Sequence, residues 1–446
     1  METFLIKAAQ LILSLSLLVV VHELGHYFFS RILKVRVDKL YLFYNPWFSL
    51  FKYKSKKSGT EYGIGWLPIG GYCKITGMVD ESLDKEQMAQ PPQEYEYRSR
   101  PAWQRLLMTT GGVLFNFLLA LFIYSAVLFA WGDTYVPLKN MTEGMYYSET
   151  FRNVGFENGD VLLSADGKEL ERFGTDALRA VAEAGRVTVL RNGKEVSIPI
   201  PEDMMQRCIR DKQGFASVRI PMIVEALPEG MDTPASRAGI LAGDTIVSVN
   251  GEAALTIDAV TAALRAHKGE EITIGVLRRG NTVEQTFSLT TDTAGLIGIF
   301  IVTDPARVYP TVTTSYSFSQ SIPAGIALGV NTLKGYVSDM QYIFTKEGAS
   351  SLGGFGAIGS MFPASWDWRT FWERSAFLSI ILAFMNILPL PALDGGHAAF
   401  AIYEMITRRK PHDKFVEYAQ VVGMILLFTL LLYANGNDLV RFFFRN

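Results

Sequence analysis

The chain has 446 residues, enough for more than one domain, with 49% hydrophobic and 19% charged residues. Its 42 basic and 44 acidic side chains nearly cancel, and no concentrated basic stripe marks a nucleic-acid partner. The average hides an uneven distribution. Four runs, roughly residues 4–21, 106–132, 376–393 and 421–434, are apolar enough to cross a bilayer, and a long stretch of soluble-domain composition separates the second from the third.

The first run leads into "LSLLVVVHELGHYFFS" at residues 15–30. No small-residue cleavage site follows it, so it reads as a retained span rather than a signal peptide. On a helix, His22 and His26 are one turn apart and can grip one ion, with Glu23 beside them. Ionisable groups at membrane depth cost about 2.5–3.5 kcal/mol each, so such a cluster points to function, and a bound metal would offset the cost. Catalytic zinc usually takes three protein ligands and leaves one position open, so a third donor is required.

The loop after this run is rich in Lys and Arg from Arg31 to Lys57, and the link between runs three and four carries Arg408, Arg409, Lys410 and Lys414. With four spans, both loops lie on one side and read as cytoplasmic; both termini and the long insert then lie outside. Cys73 and Cys208 fall on opposite sides, which excludes a disulfide between them.

The insert repeats itself. "GFENGDVLLSADGKEL" from Gly155 and "GILAGDTIVSVNGEAA" from Gly239 align Gly159 with Gly243, Asp160 with Asp244 and Gly167 with Gly251, each pair 84 positions apart. In each copy a Gly-Asp turn leads into a strand, then an Asp-Gly or Asn-Gly turn that favours positive φ, a helical stretch and two further strands joined at Asn192–Gly193 or Arg279–Gly280. The second copy, with "PASRAGILAGDTIVSVNGE", closely resembles the bacterial PDZ domain; the first lacks the Pro-Ala-Ser lead-in and resembles it less. PDZ domains receive peptide ends or strands at a sheet edge, so exported peptide termini are candidate partners.

Residues 320–344 read as an amphipathic helix. A Gly-rich stretch and Trp366, Trp368 and Trp372 come next, and the whole region reads as a linker with an interfacial belt. The third run ends in "NILPLPALDGGHAAF". By topology Asp394 lies at the depth of HELGH and is the first candidate for the third ligand; His397 ranks second. His267 belongs to the insert and His412 to the charged link, away from the site.

HELGH in the first span, "NILPLPALDGG" in the third and PDZ-like modules between spans two and three together resemble the site-2 protease family, in its RseP-like bacterial type with tandem PDZ domains. That resemblance implies an intramembrane zinc endopeptidase of the bacterial inner membrane, with one zinc held by His22, His26 and Asp394 and Glu23 as the catalytic glutamate. Its substrates would be transmembrane segments of pre-trimmed membrane proteins, such as anti-sigma factors or remnant signal peptides. Asn386 corresponds to a substrate-positioning asparagine. Asn116, closing "GGVLFN", corresponds to a Gly/Asn motif and is grouped with the substrate-binding residues. Residues 61–78, "EYGIGWLPIGGYCKITGM", correspond to a membrane-associated β-hairpin beside the active site, with Gly70 and Gly71 near substrate.

The expected fold is a polytopic α-helical membrane protein with four transmembrane helices, that hairpin on the cytoplasmic side and two inserted α/β PDZ-like domains. The boundaries are 1–133 for the N-terminal membrane core, 134–221 and 222–308 for the two modules, 309–371 for the juxtamembrane segment and 372–446 for the C-terminal core. The rival is an inactive membrane scaffold binding exported termini; all four expected catalytic residues are present, which disfavours it. A metal transporter would need more polar residues than spans two and four offer.

Overall fold

Nothing interrupts the apolar run that begins the chain, and in the computed structural model it forms one helix, α1 (Glu2–Ile32), that carries HELGH in its final third. At 1.5 Å per residue it is about 46 Å long, more than a hydrocarbon core of roughly 30 Å requires. The structure describes residues 2–68, 70–78, 90–211, 215–228, 230–278, 282–343, 345 and 353–444. They divide into two compact units, one of Met1–Gly132 with Ser315–Asn446 and one of Asp133–Thr314.

In the first unit, α2 (Ala102–Trp131) begins after Pro101 and stops at Gly132, whose φ is +66°. It crosses α1 where two glycines meet: a Cβ on Gly25 would lie 2.2 Å from the Gly111 carbonyl oxygen. No other residue type permits that approach. The helix α3 (Phe318–Ile343) lies along α2, with Gly325 against Ser125 and Gly329 against Leu121. The amphipathic helix expected at residues 320–344 is present, and its small residues pack it on α2. The Gly-rich stretch forms α4 (Phe355–Ser360), whose N-terminal amides donate to Asn435 and Asp438.

The third apolar run is displaced from its expected bounds. Its helix, α5 (Trp368–Ile387), starts earlier and stops before Pro389, because a proline disfavours helical geometry in the residue before it. Asp367 caps it through the Thr370 amide. Ala376 and Ile380 pack on Ala120, Ile123, Tyr124 and Val127 of α2. After the loop 388–393 come α6 (Asp394–Thr407) and α7 (Asp413–Phe444). Among the described residues three helices are long and apolar enough to cross a membrane, Thr3–Ile32, Ala102–Trp131 and Lys414–Val440. Helix α5, with Arg369, Glu373 and Arg374 in its first two turns, is not among them.

Between α1 and α2 lies a four-stranded sheet of β1 (Val37–Leu42), β2 (Tyr44–Lys54), β3 (Glu61–Leu67) and β4 (Tyr72–Ile75), in the order β2-β3-β1-β4. Residues 61–78 are therefore not a self-paired hairpin. The hairpin is β2–β3, and β1 inserts between β3 and β4, parallel to one and antiparallel to the other. Glycines in β3 make room for this: a Cβ on Gly63 would lie 2.2 Å from the Tyr41 ring, and one on Gly65 would lie 2.2 Å from the Tyr44 oxygen. Strand β4 is left at the edge, paired among the described residues only with β1.

The second unit holds two β-modules and closes on itself where Val312–Thr314 pairs with Asp133–Tyr135. In the first module Val161–Ala165, Arg186–Arg191 and Lys194–Pro199 are successive neighbours in one sheet; in the second, Thr245–Val249, Glu271–Leu277 and Glu284–Thr290 take the same places. The repeated Asp has a task. Asp160 accepts from Arg191 and the Glu157 amide, and Asp244 accepts from Arg278 and the Leu241 amide. Both turns after the first strand have positive φ at both positions, Asp166–Gly167 and Asn250–Gly251, as does Asn192–Gly193. The Arg279–Gly280 turn lies outside the described residues.

Candidate metal centre

Helical spacing puts the two imidazoles of α1 together. Their Nε2 atoms are 3.1 Å apart, and both rings are buried. Asp394 comes to them from the first residue of α6: its Oδ2 is 3.0 Å from His22 Nε2 and 3.4 Å from His26 Nε2. The loop before it is held tightly. A Cβ on Gly395 would lie 2.1 Å from the Leu388 oxygen, and one on Gly396 would lie 2.6 Å from the Leu390 oxygen. Ala392 takes a left-handed φ of +77° there. "DGG" is thus more than a turn; its glycines seat the start of α6 on the loop that aims Asp394.

The three donors fit a zinc ion. Metal–ligand bonds of about 2.0–2.2 Å at tetrahedral angles separate ligand atoms by roughly 3.3 Å, close to the distances found. Among the described residues the buried Asp394 Oδ2 meets only the two imidazole Nε2 atoms, and three lone-pair donors turned toward one point suit a cation. The opposite wall is Gly112 of α2, where a Cβ would lie 2.5 Å from His26 Nε2.

Helix α2 also reaches the far side of each ring. The Met108 carbonyl lies 2.8 Å from His26 Nδ1, and the Asn116 amide lies 3.2 Å from His22 Nδ1. A carbonyl only accepts, so His26 Nδ1 carries the proton and its Nε2 lone pair is free. Met108 was not a candidate from the sequence, because a backbone carbonyl has no signature in residue type.

The centre opens into a cleft of about 530 Å³ lined by Glu23, Gly71, Tyr72, Asn386, Gln420 and Met424, among others. The Cys73 backbone amide hydrogen-bonds the Glu23 carboxylate, bringing the β4 edge against the centre. Of the expected substrate contacts, Asn386 and Gly71 face this cleft, whereas Gly70 and the fully buried Asn116 do not. His397 lines it too, but its Nε2 lies 2.5 Å from the Gln420 amide and the donor cluster excludes it. His267 sits in the second unit against Glu270, and His412 precedes α7.

Three convergent metal donors with a glutamate alongside in a cleft is the layout of a metal-dependent hydrolase. The model of peptidase family M50 matches residues 10–430, and the chain belongs to that family. It is 26% identical to a Salmonella typhimurium protein named regulator of sigma-E protease RseP, covering 99% of this chain and all of that one. It is 25% identical to metalloprotease MmpA of Caulobacter vibrioides, over 98% of this chain and 96% of the relative. A Vibrio cholerae protein provisionally named as a zinc metalloprotease is 27% identical, over 96% and 97% of the two chains.

Proposed function

We propose that the protein is an intramembrane zinc endopeptidase of the site-2 protease type, cutting peptide bonds inside transmembrane segments. The observation that carries this is the convergence of His22, His26 and Asp394 beside Glu23, with the histidines on a helix apolar enough to span a bilayer. Zinc held by these three residues would supply a Lewis acid that polarises a scissile carbonyl and acidifies water. Glu23 takes the proton from the attacking water and returns it to the leaving amine. The Cys73 amide fixes that carboxylate in place.

A helical substrate must unwind to expose its carbonyls, and bare backbone groups are intolerable in hydrocarbon. Strand β4, at the end of its sheet, lines the cleft and can take an extended segment as an added strand, while the Asn386 amide holds a freed backbone group. The exposed Trp47, Phe48, Leu50 and Phe51 of β2 suit a sheet lying against the bilayer.

In this reading α5 is a fourth span buried against α2, the basic loops face the cytoplasm of the inner membrane, and the second unit is a tandem of PDZ-like modules outside. Those modules admit substrates already trimmed of bulky ectodomains. The names of the sigma-E protease relatives point to membrane-anchored anti-sigma factors as one substrate class, and remnant signal peptides are another.

The test is a purified single-span substrate in proteoliposomes, its cut site mapped by mass spectrometry. Cleavage within the apolar segment, reduced about 10²–10⁴-fold by Glu23→Gln with zinc retained, is expected. A cut outside the segment, or full activity without Glu23, would contradict the proposal.

A further inference from the structure

We infer that Asn116 is a positioning residue that sets the tautomer of His22, through its side-chain carbonyl oxygen. This rests on the metal-site reading above and extends it to the ring atom that faces away from the metal.

A histidine that binds metal through Nε2 must carry its proton on Nδ1, and a buried N–H requires an acceptor. His26 has the Met108 carbonyl. His22 Nδ1 faces the Asn116 amide, whose Nδ2 is 3.2 Å away. The nitrogen and oxygen of an amide occupy nearly interchangeable positions, so its orientation is assigned from the surrounding hydrogen bonds.

With nitrogen toward the ring, Nδ1 would accept, and Nε2 would carry a proton aimed into the donor cluster. In that orientation the Asn116 oxygen has no partner among the described residues, and the other orientation puts the amide nitrogen in its place, so the choice falls to the ring. With the amide turned over, the oxygen accepts from His22 Nδ1–H and the Nε2 lone pair is released. The donor chemistry selects the second orientation.

The surroundings serve that task. Asn116 is fully buried, so water does not compete for the bond. Its backbone carbonyl accepts from Ser379 Oγ at 2.7 Å, which fixes its place on α2. Met108 and Asn116 lie on either side of Gly111 and Gly112, the residues that let α2 approach α1. "GGVLFN" thereby acquires a purpose other than substrate contact: glycines for close approach and an asparagine to orient the ring.

The experiment is zinc affinity of the full chain in detergent, by competition with a chromophoric chelator, for wild type, Asn116→Asp and Asn116→Leu. An ionised Asp only accepts and preserves the proposed role, whereas Leu removes it. Asn116→Leu should weaken zinc binding about 10–100-fold, and Asn116→Asp should stay within a few-fold of wild type. Unfolding of the three metal-free proteins separates a packing defect, which would lower their stability without dividing Asp from Leu in affinity. Wild-type affinity in the Leu variant overturns the inference. So does a loss in the Asp variant of tenfold or more, which settles the matter even where the Leu chain does not fold. A wild type that binds no zinc overturns the metal-site reading and this inference together; zinc bound equally by all three overturns the inference alone.

Discussion

Gly112 of α2 faces His26 of α1 so closely that a single methyl group at position 112 would sit 2.5 Å from Nε2, the atom that must reach the metal. Alanine is the better helix former by roughly 1 kcal/mol, but a methyl this close to two buried rings overpacks the helix crossing, so Gly112→Ala should destabilise the metal-free fold by about 1–3 kcal/mol. The same methyl displaces both rings, and zinc affinity should fall at least tenfold. Chelator competition beside a thermal melt checks this; unchanged affinity would mean that the helices shift to admit the methyl.

Asn386 lies in the cleft wall but outside the donor cluster. Asn386→Leu should lower cleavage of a transmembrane substrate at least tenfold while zinc stays bound. Parallel loss of zinc and activity would place Asn386 in the metal site's support instead of against substrate.

Asp244 offers a pH dependence that can be signed. Burial pushes its pKa up, but the Arg278 guanidinium and the Leu241 amide outweigh this and hold it below the ordinary carboxylate value. A depressed folded-state pKa contributes stability above the unfolded value of about 4, and that stability is lost as pH falls through the folded one. Arg278 is partly exposed, so Arg278→Met should cost about 2 kcal/mol at pH 7, less than breaking a fully buried pair. Calorimetry of the full chain should show the gap to wild type narrowing below about pH 4. A gap constant down to pH 3 would count against the pairing.

Removal of residues 135–305 tests the second unit as a size filter. The shortened protein should cut a substrate whose bulky ectodomain is intact, which the full chain should refuse. Equal refusal by both would remove the filter from the account.

The meeting of His22, His26 and Asp394 was legible because helical spacing alone pairs the two histidines, and the expected span order put Asp394 near them. Their supports were less so. Met108 acts through its backbone, and Asn116 is told apart from a substrate contact only by the packing that buries it. The sheet was partly hidden. The stretch from Arg31 to Lys57 read as a basic loop, and the insertion of β1 between β3 and β4 is a long-range pairing that no local pattern encodes. In the second unit, by contrast, the repeat announces its own turns, since Asp-Gly and Asn-Gly pairs state their φ preference in residue type.

The central claim is a three-ligand centre, and metal content of the purified protein tests it most directly, comparing wild type with His22→Ala and Asp394→Ala. The account requires about one zinc per wild-type chain and its loss from both variants. Zinc retained without Asp394, or none in the wild type, would contradict it.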